Sequence, residues 1–329
     1  MKKMFALILS LAMVMSLFAG CGAAEKKDDG VYDVAIVQQL DHSSLDEIRV
    51  AIENQLNALA AEKGVTVQIK TYNGQNDASM LNQIGTQIVS DKVDMIIPIA
   101  TMAAQCMVTA AEGTNIPIVY AAISDPEGAG LTGLGNVTGV SDALNTAFIL
   151  DMMLAVNPDV KTVGLLYSNS EINSETPIAD AKAYLDAKGI AYLEKTGNTS
   201  GEIVTAASDL VGRVEAVFTP TDNVVMATEA AVAEILIQAG IPHYAGADSF
   251  VQSGAFATCG VNYTELGTKA GDIAMEILQG GAIGDFVLMD GGIITVNAET
   301  AAGLTLDFTP FHEMANTVNI VGMMNMARG

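Results

Sequence analysis

The sequence predicts an α/β protein built on doubly wound parallel sheets. Short, continuously apolar runs alternate with helix patterns along almost the whole chain. Runs of this kind are covered on both faces, as the central strands of a parallel sheet are. The connections between them are short, so right-handed crossovers bring the strand-to-helix loops to one sheet edge. At 329 residues the chain is long enough for two packed lobes.

The elements follow in order. Asp33–Val37 (DVAIV) is the first strand. Ser44 and Glu47 then form a capping-box pattern that opens a helix to about Lys63, and Gly64 ends it. Val65–Tyr72 alternates as a strand, and a helix follows from Ala78 to Val89. Asp94–Ala100 is the next strand, with Thr101 as the expected N-cap of the helix behind it. Pro117–Ile123, Thr162–Tyr167, Ile190–Lys195, Ala216–Thr219, Pro242–Ala245 and Ala255–Gly260 repeat the strand pattern, with helices between most of them.

The start of the chain has a different character. Lys2 and Lys3 precede an apolar run, Met4–Phe18, and Ala19, Gly20 and Cys21 close it. The run is short for a membrane span and has the layout of a signal peptide. A small pair before Cys resembles the bacterial lipobox, in which the thiol is acylated and becomes the new N-terminus. Phe18 stands where that pattern prefers Leu, Val or Ile. Residues 1–21 are thus expected to be a lipoprotein signal with Cys21 lipidated, and 22–30 a flexible tether. The protein is expected at the cell membrane, held by its lipid alone and facing the extracytoplasmic side.

Composition excludes several functions. The formal charge is −23, and removing residues 1–20 takes away two lysines and no acid. Such a surface repels nucleic acid, which needs a basic footprint. Cys106 and Cys259 are too few for a disulfide framework and read as buried thiols. His42, His243 and His312 are far apart, and there is no HExxH, CxxC or GxSxG, so neither a metal, nor a cofactor, nor an enzyme activity is expected.

Ligands of doubly wound sheets bind at the loop edge. Those loops read QQLDHSS (Gln38–Ser44), NGQND (Asn73–Asp77), Ala100–Thr101, SDPEGAG (Ser124–Gly130), SNSEINSE (Ser168–Glu175), PTDN (Pro220–Asn223) and GADSF (Gly246–Phe250). They hold no Arg, Lys or Cys. Arg49, Arg213 and Arg328, the chain's three arginines, lie elsewhere, which removes a bidentate clamp on a carboxylate. A carboxylate would then be held by helix-start N–H groups, as at Thr101–Ala103, and an ammonium by Asp222 or Asp248. A zwitterionic amino acid fits both. Sugar clefts usually stack on aromatic faces, and the chain has no Trp, although Tyr and Phe total 17.

Several of these stretches carry a family resemblance. IVQQLDHSSLD (Ile36–Asp46), Tyr72–Gln105, IPIVYAAISDP (Ile116–Pro126), NVTGVSD (Asn136–Asp142), VGLLYSNSEINS (Val163–Ser174), PTDN, Phe250–Gly267 and Gly292–Leu306 resemble the solute-binding lipoproteins of ABC importers. They are closest to the family that includes tryptophan- and other aromatic-amino-acid-binding proteins. The resemblance spans nearly all of the chain after the leader; only the Met-rich end, Phe311–Gly329, has no place in it. It implies the type I periplasmic-binding-protein fold, two lobes joined by three crossing strands. The crossings fall at Asn136–Asp142, Gly260–Tyr263 and about Asp285–Gly291. Lobe one is then 31–142 plus 263–287, and lobe two 143–262 plus 288–329.

The candidate ligand contacts are Gln39, His42, Thr101, Ser124, Asp125, Asn169, Asn173, Ser174, Asp222 and Asp248. Each has a structural rival: Thr101 and Asp222 as helix caps, Ser124 and Asp125 as turn formers before Pro126, the Asn169–Ser174 group as a solvated bend. The expected function is capture of a small, aromatic amino acid by a monomer that hands it to importer permease subunits. A sensory receptor of the same fold and a sugar binder are the alternatives.

Overall fold

A computed structural model describes residues 30–289 and 291–322. The leader, Cys21 and the tether before Gly30 lie outside the described residues, as does the chain from 323 onward.

The strands are β1 (Val31–Gln38), β2 (Thr66–Asn73), β3 (Met95–Ile99), β4 (Ile118–Ala121), β5 (Val137–Ser141), β6 (Thr162–Tyr167), β7 (Ala191–Thr196), β8 (Ala216–Thr219), β9 (His243–Ala245), β10 (Ala257–Gly260), β11 (Val287–Leu288), β12 (Ile293–Asn297) and β13 (Thr317–Val321). They form two sheets, ordered β11-β5-β4-β3-β1-β2 and β13-β12-β10-β9-β8-β6-β7. Every pair is parallel except β10 with β12. The second sheet is therefore mixed, a departure from the parallel expectation. Chain reversal explains it: β12 enters lobe two from the opposite end after β11 has paired in lobe one.

The described helices are α1 (Ser43–Lys63), α2 (Ala78–Asp91), α3 (Thr101–Ala110), α4 (Thr146–Val156), α5 (Glu175–Lys188), α6 (Ser200–Ser208), α7 (Asn223–Met226), α8 (Glu229–Gln238), α9 (Asp248–Gln252), α10 (Tyr263–Leu278), α11 (Ala298–Leu304) and α12 (Phe311–Met314). They pack against the sheets, and the central strands are accordingly apolar: all five residues of β3 are buried, whereas edge strands such as β2 and β7 are half-exposed. The two sheets repeat one topology. In each the first strand sits between the second and the third, so strand order reverses at β1/β3 and again at β6/β8. Ligands of open α/β sheets bind at that switch point, beyond the carboxyl ends of the strands.

Two caps differ from the sequence expectation. Helix α1 starts at Ser43 with His42 in the N-cap position and no side-chain cap; Ser44 bonds nothing, and Glu47 instead accepts from Thr264 on α10. At α3, Ala100 holds the N-cap position and Thr101 is the first helical residue. The N–H of Met102 donates to Gln39 Oε1 at 3.0 Å, so a side chain from β1's end does the capping. The stretch from Phe311, unplaced by the sequence, adds β13 as an edge strand beside β12 and buries Phe311 against Phe256.

Helix α10 returns from lobe two to pack along α1 in lobe one. Glycines make the close approach possible. A Cβ at Gly267 would stand 2.5 Å from the Ile48 carbonyl oxygen and 2.7 Å from Ala51 Cβ. Backbone cannot yield as a flexible side chain can. Gly267→Ala is expected to destabilise by about 1–3 kcal/mol despite alanine's better helix propensity. A denaturant midpoint equal to or above wild type would contradict this packing.

Candidate functional site

The two switch points face each other. Loops after β1, β3 and β4 come from lobe one, and the loops after β6 and β8, with the start of α5, from lobe two. Four side-chain hydrogen bonds join them: Gln39 Nε2 to Glu171 Oε1 at 3.0 Å, His42 Nε2 with Asn223 Oδ1 at 3.1 Å, Ser124 Oγ with Thr221 Oγ1 at 3.0 Å, and Thr176 Oγ1 to Asp125 Oδ2 at 2.6 Å. The lobes are closed.

Between them lies a cavity. His42, Thr101, Ser124, Asn173 and Asp222, all sequence candidates, line it. Five other candidates stand outside its wall. Gln39 is fully buried and spends its amide on Met102, Asn76 and Glu171. Asp125 accepts from Gly128 N and Thr176, and these bonds hold its carboxyl below the usual range. Asn169 bonds Thr196 on an exposed edge. Ser174 donates to Asp222 Oδ2 at 2.7 Å. Asp248 is not brought to this cavity at all: it lines a separate crevice with Glu47, Thr258 and Asn262, where burial and the Glu47 charge push it up to about 6.

The wall also holds residues that sequence reasoning missed, among them Ser44, Asp142, Asn223, Ser249 and Tyr263. Asp142 and Tyr263 lay in segments read as crossings between the lobes, which hid them. Leu45, Met226 and Phe250 supply apolar surface. Ala100 and Ala122, both on the wall, hold φ of 75° and 58°. Left-handed backbone at alanine costs on the order of 1–3 kcal/mol and gathers at functional sites.

The polar bookkeeping distinguishes the carboxylates. Asp222 caps α7, accepting from Val225 N at 2.9 Å, and also accepts from Ser168 N and Ser174 Oγ, each at 2.7 Å. Its oxygens are well satisfied, although burial still raises its pKa. Asp142 accepts only two long bonds, from Ser124 at 3.2 Å and Tyr263 at 3.4 Å, and burial pushes it up to about 6. Glu171 stands just behind the wall, raised to about 8 by burial and then by the charge of Asp222. Burial holds His42 below its ordinary value. No Lys or Arg lines the cavity. His42 Nδ1, Ser44 Oγ and Ser249 Oγ are buried there without a hydrogen-bond partner. Buried polar atoms left this way cost about 1–3 kcal/mol each, which marks them as groups awaiting a partner.

A second polar constellation lies inside lobe two. His243 Nδ1 meets Glu229 Oε1 at 2.9 Å, and His243 Nε2 meets Thr219 Oγ1 at 2.8 Å. The order Thr–His–Glu resembles a nucleophile triad, but all three are 2% exposed or less, so no substrate reaches them. Cys106 and Cys259 are free thiols. Among the described residues no three His, Cys, Asp or Glu are grouped to hold a metal ion.

Two doubly wound lobes closed on a polar cavity at their facing switch points define a solute-binding protein of the type I periplasmic-binding-protein fold. Residues 33–308 match the family model described as ABC transporter substrate binding protein, and the chain belongs to that family. The family is one of transport proteins rather than enzymes, and its members work outside the cytoplasm. No described helix is long and apolar enough to cross a membrane. The chain is 32% identical over 322 residues to a tyrosine-binding protein of Clostridioides difficile (strain R20291), covering 93% of each. Its structure matches an ABC domain from Streptococcus pneumonia in complex with L-Trp, with a TM-score of 0.80 and 29% identity over 87% of this chain and 99% of that one. A ligand-free, open structure of a Clostridium difficile substrate binding protein gives 0.67 at 31% identity, over 89% and 100%. The poorer overlay on an open relative of similar identity agrees with the hydrogen bonds that close the lobes here.

Proposed function

We propose that this protein captures an amino acid with an aromatic side chain between its lobes and hands it, as a monomer, to the permease subunits of an importer. The carrying observation is the pair of opposite ends offered by the cavity. On one side is the uncapped start of the 21-residue helix α1, with Ser44 and its unpaired hydroxyl. Helix-start N–H groups and the helix dipole favour a carboxylate there. Asp142, which has acceptor capacity to spare, suits an ammonium. Met102 N–H is already taken by Gln39, so α1 rather than α3 receives the carboxylate. The similar proteins, one named for tyrosine and one in complex with L-Trp, support an aromatic side chain lying on Leu45, Met226 and Phe250.

The closed cavity is narrow, about 30 Å³ in volume. That suits about two waters. An amino acid needs more room than this, which Met226 and Phe250 on the wall can yield by moving. Binding energy then favours the closed form over the open one, and the population follows.

A thermal-shift screen of the twenty amino acids and common sugars tests this reading. A ligand at 100 times its dissociation constant adds about 2.7 kcal/mol. Stabilisation by L-tyrosine or L-tryptophan is expected; stabilisation by sugars alone would overturn it. The lipid anchor is tested separately. Cys21→Ser is expected to leave the membrane fraction or to remain unprocessed, and normal membrane retention of a cleaved mutant would contradict it.

A further inference from the structure

Glu171 touches both lobes, yet the ligand reading gives it no task. It comes from the loop after β6, is 3% exposed, and accepts from Gln39 Nε2 of lobe one at 3.0 Å and from Asn223 Nδ2 at 2.7 Å. Gln39 is fixed in turn, because its Oε1 is committed to Met102 N and its Nε2 also reaches Asn76. The titratable groups facing Glu171 are Asp222 from the start of α7 and, through Asn223, His42 from the start of α1. Asp222 accepts two backbone N–H groups and a hydroxyl, so it keeps the charge of the pair. Opening the lobes removes Gln39 and lets water reach Glu171.

We propose that Glu171 and Gln39 form a proton-linked latch: each closure of the lobes over a ligand takes up one proton, held on Glu171. The proton comes from solvent and returns to it when the lobes part. Protonated Glu171 donates through Oε2 to Asn223 Oδ1 once the Asn223 amide turns over. Asn223 Nδ2 then donates to His42 Nε2, and His42 carries its own proton on Nδ1, the ring nitrogen left without a partner. A cavity-side acceptor becomes a donor, suited to a ligand carboxylate at the start of α1. Proton uptake and carboxylate binding thus reinforce each other.

The sign follows from linkage. Glu171 has its higher pKa, about 8, in the closed form, and the ordinary carboxylate value once exposed. Affinity therefore falls as pH rises, by up to about tenfold per pH unit, and levels off above about pH 8. Asp142 acts oppositely once an ammonium lies on it, but only below about pH 6.

Calorimetry of L-tyrosine binding near pH 7.5, in buffers of different ionisation enthalpy, reads the proton directly. Wild type is expected to take up about 0.5–1 proton per ligand, and Glu171→Gln none, with affinity flat between about pH 6.5 and 8. No uptake by wild type, or equal uptake by Glu171→Gln, overturns the latch. If the variant does not fold, the wild-type pH profile decides, since a flat profile has the same force. If L-tyrosine gives no heat, the ligand reading fails, and the latch is read from small-angle scattering of the free chain. It predicts a more compact particle near pH 6.5 than near pH 9, and equal compactness overturns it.

Discussion

Asp142→Asn is expected to weaken amino-acid binding by about 10- to 200-fold while leaving the melting temperature unchanged or raised. The substitution keeps shape and removes charge. A charge-assisted hydrogen bond to an ammonium is worth about 1.5–3 kcal/mol, which gives that range of affinity. In the protein alone the charge is a cost: Asp142 is buried with two long hydrogen bonds and a pKa pushed up to about 6. Neutralising it relieves that cost, hence the stability result. Calorimetry with L-tyrosine and with its des-amino analogue separates the causes. The analogue should bind wild type poorly and lose little more on mutation. Equal losses for both compounds would show that Asp142 does not hold the ammonium.

Asp222→Ala is expected to act mainly on stability, with a loss of about 3–5 kcal/mol, large for a single substitution. The side chain caps α7 and ties the loop after β6 to the loop after β8 through Ser168 N and Ser174 Oγ. Losing the cap costs about 1 kcal/mol, and each buried donor left unpaired costs about 1–3 kcal/mol more. For a chain of this size the melting temperature should fall by roughly 6–20 °C. The loop pattern PTDN alone suggests a cap worth about 1 kcal/mol and a fold that survives easily. A thermal melt within about 2 °C of wild type would restore that simpler view and return Asp222 to the list of ammonium partners.

The sheet architecture could be read from the sequence because it is local. Apolar runs bounded by turns gave β6 and β8 their observed limits, Thr162–Tyr167 and Ala216–Thr219. Some residues of the cavity wall were legible because they sit on loops that follow strands, as with His42 after β1, Ser124 after β4 and Asp222 after β8. What escaped was set by distant partners. Ser44 and Glu47 have the spacing of a capping box, but the cleft draws Ser44 to its wall and Thr264, 217 residues from Glu47, takes the carboxylate. Thr101 has the residue type of a cap, but Gln39, 63 residues from Met102, supplies the oxygen. Glu171 sat among polar loop residues with nothing to distinguish it, because its partner Gln39 is 132 residues away. The antiparallel β12 has the same cause: strand direction depends on where the chain last crossed between lobes, which no window of residues records.

A crystal structure of the complex with L-tyrosine decides whether the cleft holds a zwitterion by its two ends. The ammonium nitrogen is expected about 2.7–3.2 Å from Asp142 and the carboxylate at the start of α1 beside Ser44, with the ring against Met226 and Phe250. A ligand bound in the reverse sense, or lodged outside the cavity between the lobes, would contradict it.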